Sequence, residues 1–337
     1  MNRHSFPPAG HLRLAILCVL IATLSSAALA AEPLTITPEN IQRIEQIYTF
    51  PGHTGYVDDL VFSPDGATLV TICDDRSIRL WSIDTGELAE TLPVPGAASY
   101  LNTLSFSPDG RWLASPYGVH DLQDSSVLHR FTSRIMSTAF SADGSLLAIG
   151  PEMQPVQLLD TATWEVVRTF ESLRHIHVVA DDSFGFEFSP DGLWLADGTL
   201  VAGDARIWDV ETGTLHRSLA ISAPESDVHD VAFTSDGQFL AAGGHGRNIL
   251  IFSTNTWRLE RLLPAGEGTM SLDFSPDGRL LITSIEMTVS VWDVQTGRRL
   301  RTFDHDIEVL PVTFSPDGRY IACGLRSGDA LVYGIRE

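Results

Sequence analysis

The chain has no lysine. All 22 of its basic residues are arginine, set against 43 acidic residues, for a formal net charge of −21. A duplex-binding protein needs a positive patch to displace counterions, so nucleic acid is excluded as an expected partner. Cysteine is scarce, with three in 337 residues. There is no nucleophile elbow, no phosphate-cradling glycine loop and no HExxH pair. No catalytic residue, cofactor or metal is therefore assigned, and the chain reads as a non-enzyme. The acidity is the expected consequence of solubility and of repeated turn aspartates rather than of acid-mediated binding.

Long hydrophobic runs are also missing, with one exception. Arg3 and Arg13 precede an apolar stretch over residues 14–24, interrupted by Thr23, and Ala28-Leu29-Ala30 follows as a small-x-small cleavage pattern. Residues 1–30 therefore read as a secretory signal peptide. The run is short for a membrane span, which needs about 20 residues, so no span is expected after cleavage. Leu17 before Cys18 argues against a lipoprotein site. Export to a periplasmic or extracellular location follows as an expectation.

What the chain does have is a motif repeated seven times: Phe62-Ser63-Pro64-Asp65-Gly66, with counterparts beginning at Phe106, Phe140, Phe188, Phe233, Phe274 and Phe314. Successive turn aspartates lie 44, 34, 48, 45, 41 and 40 residues apart. Proline presets φ for the first central position of a type I turn, aspartate suits the second, and glycine supplies the left-handed residue that closes a hairpin. Apolar residues alternate on either side, as Val57, Leu60 and Phe62 do before the first turn. A second signal, a strand ending in an aromatic and then a polar turn with glycine, follows in most copies: Trp81 to Gly86, Trp208 to Gly213, Trp292 to Gly297. Each repeat reads as four antiparallel strands. Such a sheet cannot bury both faces alone, so the repeats must pack on one another.

With Trp208-Asp209 and Trp292-Asp293 the pattern resembles the WD40-repeat family, over roughly residues 44–337. The resemblance implies an all-β, seven-bladed propeller, of a bacterial-type exported member. In the first repeat His53, Thr71, Asp75 and Trp81 fall where that family places the four side chains of its structural hydrogen-bond network. Elsewhere the pattern departs, with Ser82, His120-Asp121, Leu159-Asp160, Phe252-Ser253 and Tyr333-Gly334 in place of Trp-Asp. His305 matches His53, but most repeats lack the histidine and the turn aspartate. The network is expected in one blade, with packing carrying more of the stability.

The chain ends after a third strand, while residues 44–50 at its start read like the fourth strands elsewhere. Joining the two closes the ring and removes an open sheet edge. The expected organisation is a signal peptide over 1–30, a lead-in over 31–43 in which Thr37-Pro38 starts one short helical turn, and a propeller over 44–337. Aligned on Gly66 and Gly318, Cys323 corresponds to Thr71, two residues before Cys73. Residues two apart share a sheet face, so both point the same way round the ring. Two separate buried thiols are expected.

In such a blade, the first-to-second and third-to-fourth turns lie on one face of the ring. The regular turns sit there. The irregular connections, over residues 93–102, 171–183, 220–227 and 243–248, lie on the other face, where specificity is normally placed. Counting six and four residues back from each repeat phenylalanine identifies a candidate partner-binding set: Tyr56, Asp58, Tyr100, Asn102, Arg134, Met136, Asp182, Phe184, Asp227, His229, Met270 and Glu308, with His245 nearby. Partner binding at these positions is what the resemblance implies. The mixture of aromatic, acidic and methionine residues fits a protein or peptide partner. His175, His177, Asp181 and Asp182 lie on the longest loop at metal-ligand spacing, and His229 and His245 in the next blade approach the same rim, but nothing in the sequence fixes a third ligand. The expected function is an exported, monomeric interaction scaffold. The alternative is a hydrolase or metalloenzyme propeller with its site at the channel mouth.

Overall fold

The computed structural model describes residues 34–94, 103–152, 154–170, 185–199, 203–221, 227–266 and 268–336. The signal-peptide reading of residues 1–30 lies outside them. Among the described residues no helix is long and apolar enough to cross a membrane.

Seven four-stranded antiparallel sheets form a propeller, as expected. Blade one is Val57–Phe62, Thr68–Cys73, Ser77–Ser82 and Leu88–Pro93. The first strands of the other blades are Ser105–Phe106, Ile135–Phe140, Phe186–Phe188, Val228–Phe233, Thr269–Phe274 and Val309–Phe314. The middle strands are buried between neighbouring blades and are correspondingly apolar, as in Leu280–Ile285. Fourth strands face solvent, and Leu215–Ala220 is mostly exposed.

The repeated turns behave as their chemistry dictates. Gly66 N–H donates to Ser63 O at 2.8 Å, and Gly66 has φ 72°. The Ser63 hydroxyl donates to Asp65 Oδ1 at 2.5 Å, which also accepts Ala67 N–H at 3.0 Å. The same hydroxyl–carboxylate contact recurs at 2.5–2.6 Å in the other six turns. Each turn carboxylate is thus engaged inside its own turn, and one carboxylate is far from the six or more oxygens of a calcium shell. Neighbouring turns nest, with Pro64 over Gly110 and Pro108 over Gly144.

The ring closes through Glu45–Phe50, which pairs antiparallel with Ala330–Gly334 and completes the last blade. Phe50 stacks on Trp81 of blade one at 5.0 Å between ring centroids. The closing strand therefore holds the first and last blades together. The lead-in also enters the core: Ile36, Ile41 and Ile44 are buried against blades six and seven, and Arg301 Nη1 donates to Ile41 O at 2.8 Å. Its helical turn is a single 3-10 turn at Ile41–Arg43, later than Thr37-Pro38 suggests. Asn40 Oδ1 accepts Thr37 N–H at 2.8 Å and holds a separate turn ahead of it.

In blade one, His53 Nδ1 lies 3.0 Å from Asp75 Oδ2 and His53 Nε2 lies 2.8 Å from Thr71 Oγ1, which in turn accepts Trp81 Nε1–H at 3.0 Å. Burial alone would raise the Asp75 carboxyl, but hydrogen bonds from Ser77, Thr54 N–H and His53 outweigh it and hold it at about 2. Fragments of the network survive elsewhere. Trp292 Nε1 donates to Thr283 Oγ1, and Trp208 Nε1 to Asp197 Oδ1, both at 3.0 Å. In blade seven Cys323 stands opposite Leu331 where a Thr71 equivalent would be, and His305 Nε2 is buried with no hydrogen-bond partner among the described residues. Cys73 and Cys323 are buried and form no disulfide.

Two predictions follow from this architecture. A chain beginning at Gly52 should lose a large part of the full-length melting temperature in one cooperative transition, because the last blade loses its fourth strand and Trp81 its stacking partner. An unchanged melting temperature would contradict the closure. Thr71→Val leaves His53 Nε2 and Trp81 Nε1 buried without their partner, while His53 Nδ1 keeps Asp75, and should cost about 2–4 kcal/mol in chemical denaturation. Thr283→Val leaves only Trp292 unpaired and should cost less.

Candidate functional site

The first strands line the central channel with one edge unpaired, and their backbone N–H groups need acceptors that no strand supplies. The preceding blade provides them through side chains. Three residues before the repeat phenylalanine, Asp59 Oδ2 accepts Leu104 N–H (2.7 Å), Thr103 Oγ1 accepts Thr138 N–H (2.9 Å) and Ser137 Oγ accepts Phe186 N–H (3.2 Å). Asp230 Oδ2 accepts Leu272 N–H (2.9 Å) and Ser271 Oγ accepts Val312 N–H (3.3 Å). One residue before the phenylalanine, Ser105, Glu187 and Asp273 do the same for Phe140, Phe233 and Phe314 N–H at 2.9, 2.6 and 2.7 Å. Blade four has Gly185 at the first of these positions, and a Cβ there would sit 2.3 Å from Asp230 Oδ1. Glycine is required because the neighbouring carboxylate occupies that space.

These contacts surround a central cavity of about 130 Å³, lined among others by Asp58, Asp59, His229, Asp230 and Met270. The narrow channel reaches the carboxylates, so they are half-buried by area. They nevertheless lie deep among protein atoms, and that depth governs their solvation. Burial pushes Asp59 and Asp230 up to about 7 and Asp273 up to about 6, against the opposing effect of the N–H groups they accept. Glu187 is raised well above the ordinary carboxylate range for the same reason, with Asp273 and Asp230 adding like charge.

The predicted partner-binding residues divide into groups. Asp58, His229 and Met270 come together at the cavity because a β-bulge falls at their position: the register slips between Val57 and Asp59, between Val228 and Asp230, and between Thr269 and Ser271. A bulge turns a side chain that simple alternation would send elsewhere. This corrects the expectation for His229, which is fully buried, with Nδ1 2.9 Å from Thr269 O, and does not present a surface to a partner. Met136, at the equivalent bulge, is buried as well.

On the rim, Asp227 Oδ2 lies 3.2 Å from Nδ1 of the exposed His245, whose ring meets His229 edge to face at 4.4 Å. Tyr56 and Glu308 form a second rim group around Arg326. The Arg326 guanidinium lies over the Tyr56 ring at 4.4 Å, donates to its hydroxyl at 3.3 Å and is hydrogen-bonded to Glu308. Arg134 stands apart, paired with Glu152 at 3.1 Å. Tyr100, Asn102, Asp182 and Phe184, with His175, His177 and Asp181, lie outside the described residues. Sequence reasoning missed Arg326 and the inter-blade acceptors. The acceptors carry a signal, a polar residue three before the phenylalanine in five of the seven repeats, which the count of six and four passes over.

Four segments, residues 44–82, 87–118, 214–253 and 260–293, match the family model described as WD domain, G-beta repeat. These matches support the WD40-repeat family. Blade three and the first three strands of blades four and seven fall outside the matched segments. Among curated relatives, the chain is 31% identical over 147 residues to a WD repeat-containing protein SL1-17 of Schistosoma mansoni, covering 42% of this chain and 48% of that one. It is 27% identical over 199 residues to guanine nucleotide-binding protein subunit beta-1 of Caenorhabditis briggsae (57% and 55%). It is 29% identical over 157 residues to transcription initiation factor TFIID subunit 5 of Caenorhabditis elegans (45% and 23%). The chain thus spans about half or less of the length of these relatives. The seven-bladed propeller agrees with that resemblance.

The raised channel carboxylates should make the ring's stability depend on pH. A carboxylate raised in the folded state favours folding while protonated, so its contribution is complete below about pH 4 and lost as pH rises through about 7. Buried His53, His120 and His305, lowered chiefly by burial, act in the opposite sense as pH falls. The test is therefore a difference. Between pH 5 and 8, wild type should lose on the order of 1–3 kcal/mol more stability than Asp59→Asn. Parallel stability curves for the two proteins would show that Asp59 titrates normally.

Proposed function

We propose that this chain is an exported, monomeric, non-enzymatic scaffold that holds a protein or peptide at the irregular-loop face, over the channel mouth. The observation that carries this reading is the division of labour between side chains. On the regular face every repeated turn uses its own polar groups, and in the channel the acceptors bind backbone N–H groups of the next blade. On the opposite rim, Tyr56, Arg326 and Glu308, and Asp227 and His245, form two polar and aromatic groups beside the channel mouth. An aromatic ring beneath an arginine, bordered by carboxylates, is the composition of an interface anchor with a polar rim. The WD40 matches support a binding role. Export rests on residues 1–30, and a mature protein beginning at Ala31 is its consequence.

Affinity capture from the native envelope fraction, followed by hydrogen exchange on the purified complex, tests the proposal. Protection is expected around Tyr56, Asp227 to His229, Met270 and Glu308. Tyr56→Ala with His245→Ala should weaken binding at least tenfold at unchanged melting temperature, whereas Thr296→Ala on the regular face should leave it unaltered. Protection confined to the Ser-Pro-Asp-Gly turns would place the partner on the wrong face for this reading.

A further inference from the structure

The rim of blade five, part of the proposed partner face, holds a constellation whose chemistry goes beyond partner binding. His245 N–H donates to Asp227 O at 3.1 Å, so the backbone clamps the start of the first strand to the end of the second. Between them Gly244 packs so closely on the Asp227 carbonyl that a Cβ would come within 2.0 Å of it. The bulge at His229 brings a third side chain to the same place. One potential ligand atom from each of Asp227, His229 and His245 lies within 4.8 Å of the other two.

The protonation pattern at His229 is set by its surroundings. Its Nδ1 faces the Thr269 carbonyl at 2.9 Å, and a carbonyl only accepts, so Nδ1 carries the hydrogen and Nε2 is the basic nitrogen of the neutral ring. A backbone carbonyl that fixes tautomer and orientation in this way is the usual outer partner of a metal-binding histidine. We propose that Asp227, His229 and His245 form a binding site for a divalent transition-metal ion of the zinc class. Two imidazoles and one carboxylate suit zinc, copper or nickel, whereas calcium and magnesium take oxygen ligands.

Bonds of about 2.0–2.2 Å from nitrogen and carboxylate to zinc require the three groups to close in slightly. The buried His229 is the fixed point. His245, whose side chain is 52% exposed, has room to move toward it. Its contact with Asp227 then gives way to the ion, and a proton on His245 Nδ1 shifts to Nε2 of the same neutral ring. Three protein ligands leave the remaining coordination to water or to a group from a bound partner.

His53, Cys73 and Asp75 form a second group with ligand atoms in reach of one another, but both His53 nitrogens are committed to Asp75 and Thr71. Burial also raises the Cys73 thiol, which keeps its proton.

The test uses the tag-free chain loaded with zinc chloride, dialysed, and assayed for metal by mass spectrometry and for affinity by titration calorimetry. One zinc per chain is expected. His245→Ala and Asp227→Asn should each weaken it at least tenfold, with cobalt(II) absorption reporting the loss of an imidazole ligand. His245 is exposed, so its variant should melt like the wild-type apoprotein. Cys73→Ser and, on the exposed fourth strand Leu215–Ala220, His216→Ala should bind as wild type does. No retained zinc, equal binding by His245→Ala, or loss of zinc in Cys73→Ser alone would each overturn the assignment. The measurement involves metal only, so its failure leaves the partner-binding reading standing.

Discussion

The unpaired inner edge of each first strand is the constraint on which the rest of this propeller depends. A sheet edge that faces a narrow channel can neither add another strand nor be fully hydrated, so its N–H groups must be met by side chains. This chain meets them from the neighbouring blade, through hydroxyls in some blades and carboxylates in others. The solution ties blade to blade at the axis, where few apolar side chains fit. It also places several acids in one poorly solvated space, which raises their affinity for protons.

Stability is distributed unevenly round the ring as a result. Blade one has the complete His53–Asp75–Thr71–Trp81 relay, blades four and six keep only the tryptophan's hydrogen bond, and blade seven has neither. The last blade compensates in two ways. It receives its fourth strand from the start of the chain, and the lead-in buries three isoleucines against it. Blade seven, one of the blades without the tryptophan hydrogen bond, is thus also held together by distant sequence.

The two faces have diverged for a related reason. Turn chemistry on the regular face is self-contained, since each aspartate satisfies its own turn. The opposite rim combines pairs within one blade, Asp227 with His245 and Arg326 with Glu308, with a contact across the ring closure, Arg326 with Tyr56. Contacts between repeats can vary without disturbing the hairpins, and so this rim can carry recognition while the scaffold stays constant.

The sequence by itself determined the number of blades, the four strands in each and the closure by residues 44–50, because turn geometry and period-2 alternation are local properties. It located the four side chains of the blade-one network on the strength of a family pattern. The fate of the candidate rim was decided only in three dimensions. Simple alternation places Asp58, His229 and Met270 with their neighbours on an outer rim, but a one-residue bulge turns each of them toward the channel, and no local residue preference announces that bulge. Asp59, Asp230 and Arg326 read as ordinary polar residues until the ring brings their partners, dozens to hundreds of positions away, within hydrogen-bond distance. Local chemistry writes the hairpins. The register between blades, which depends on contacts across the whole ring, assigns their polar side chains to structure or to recognition.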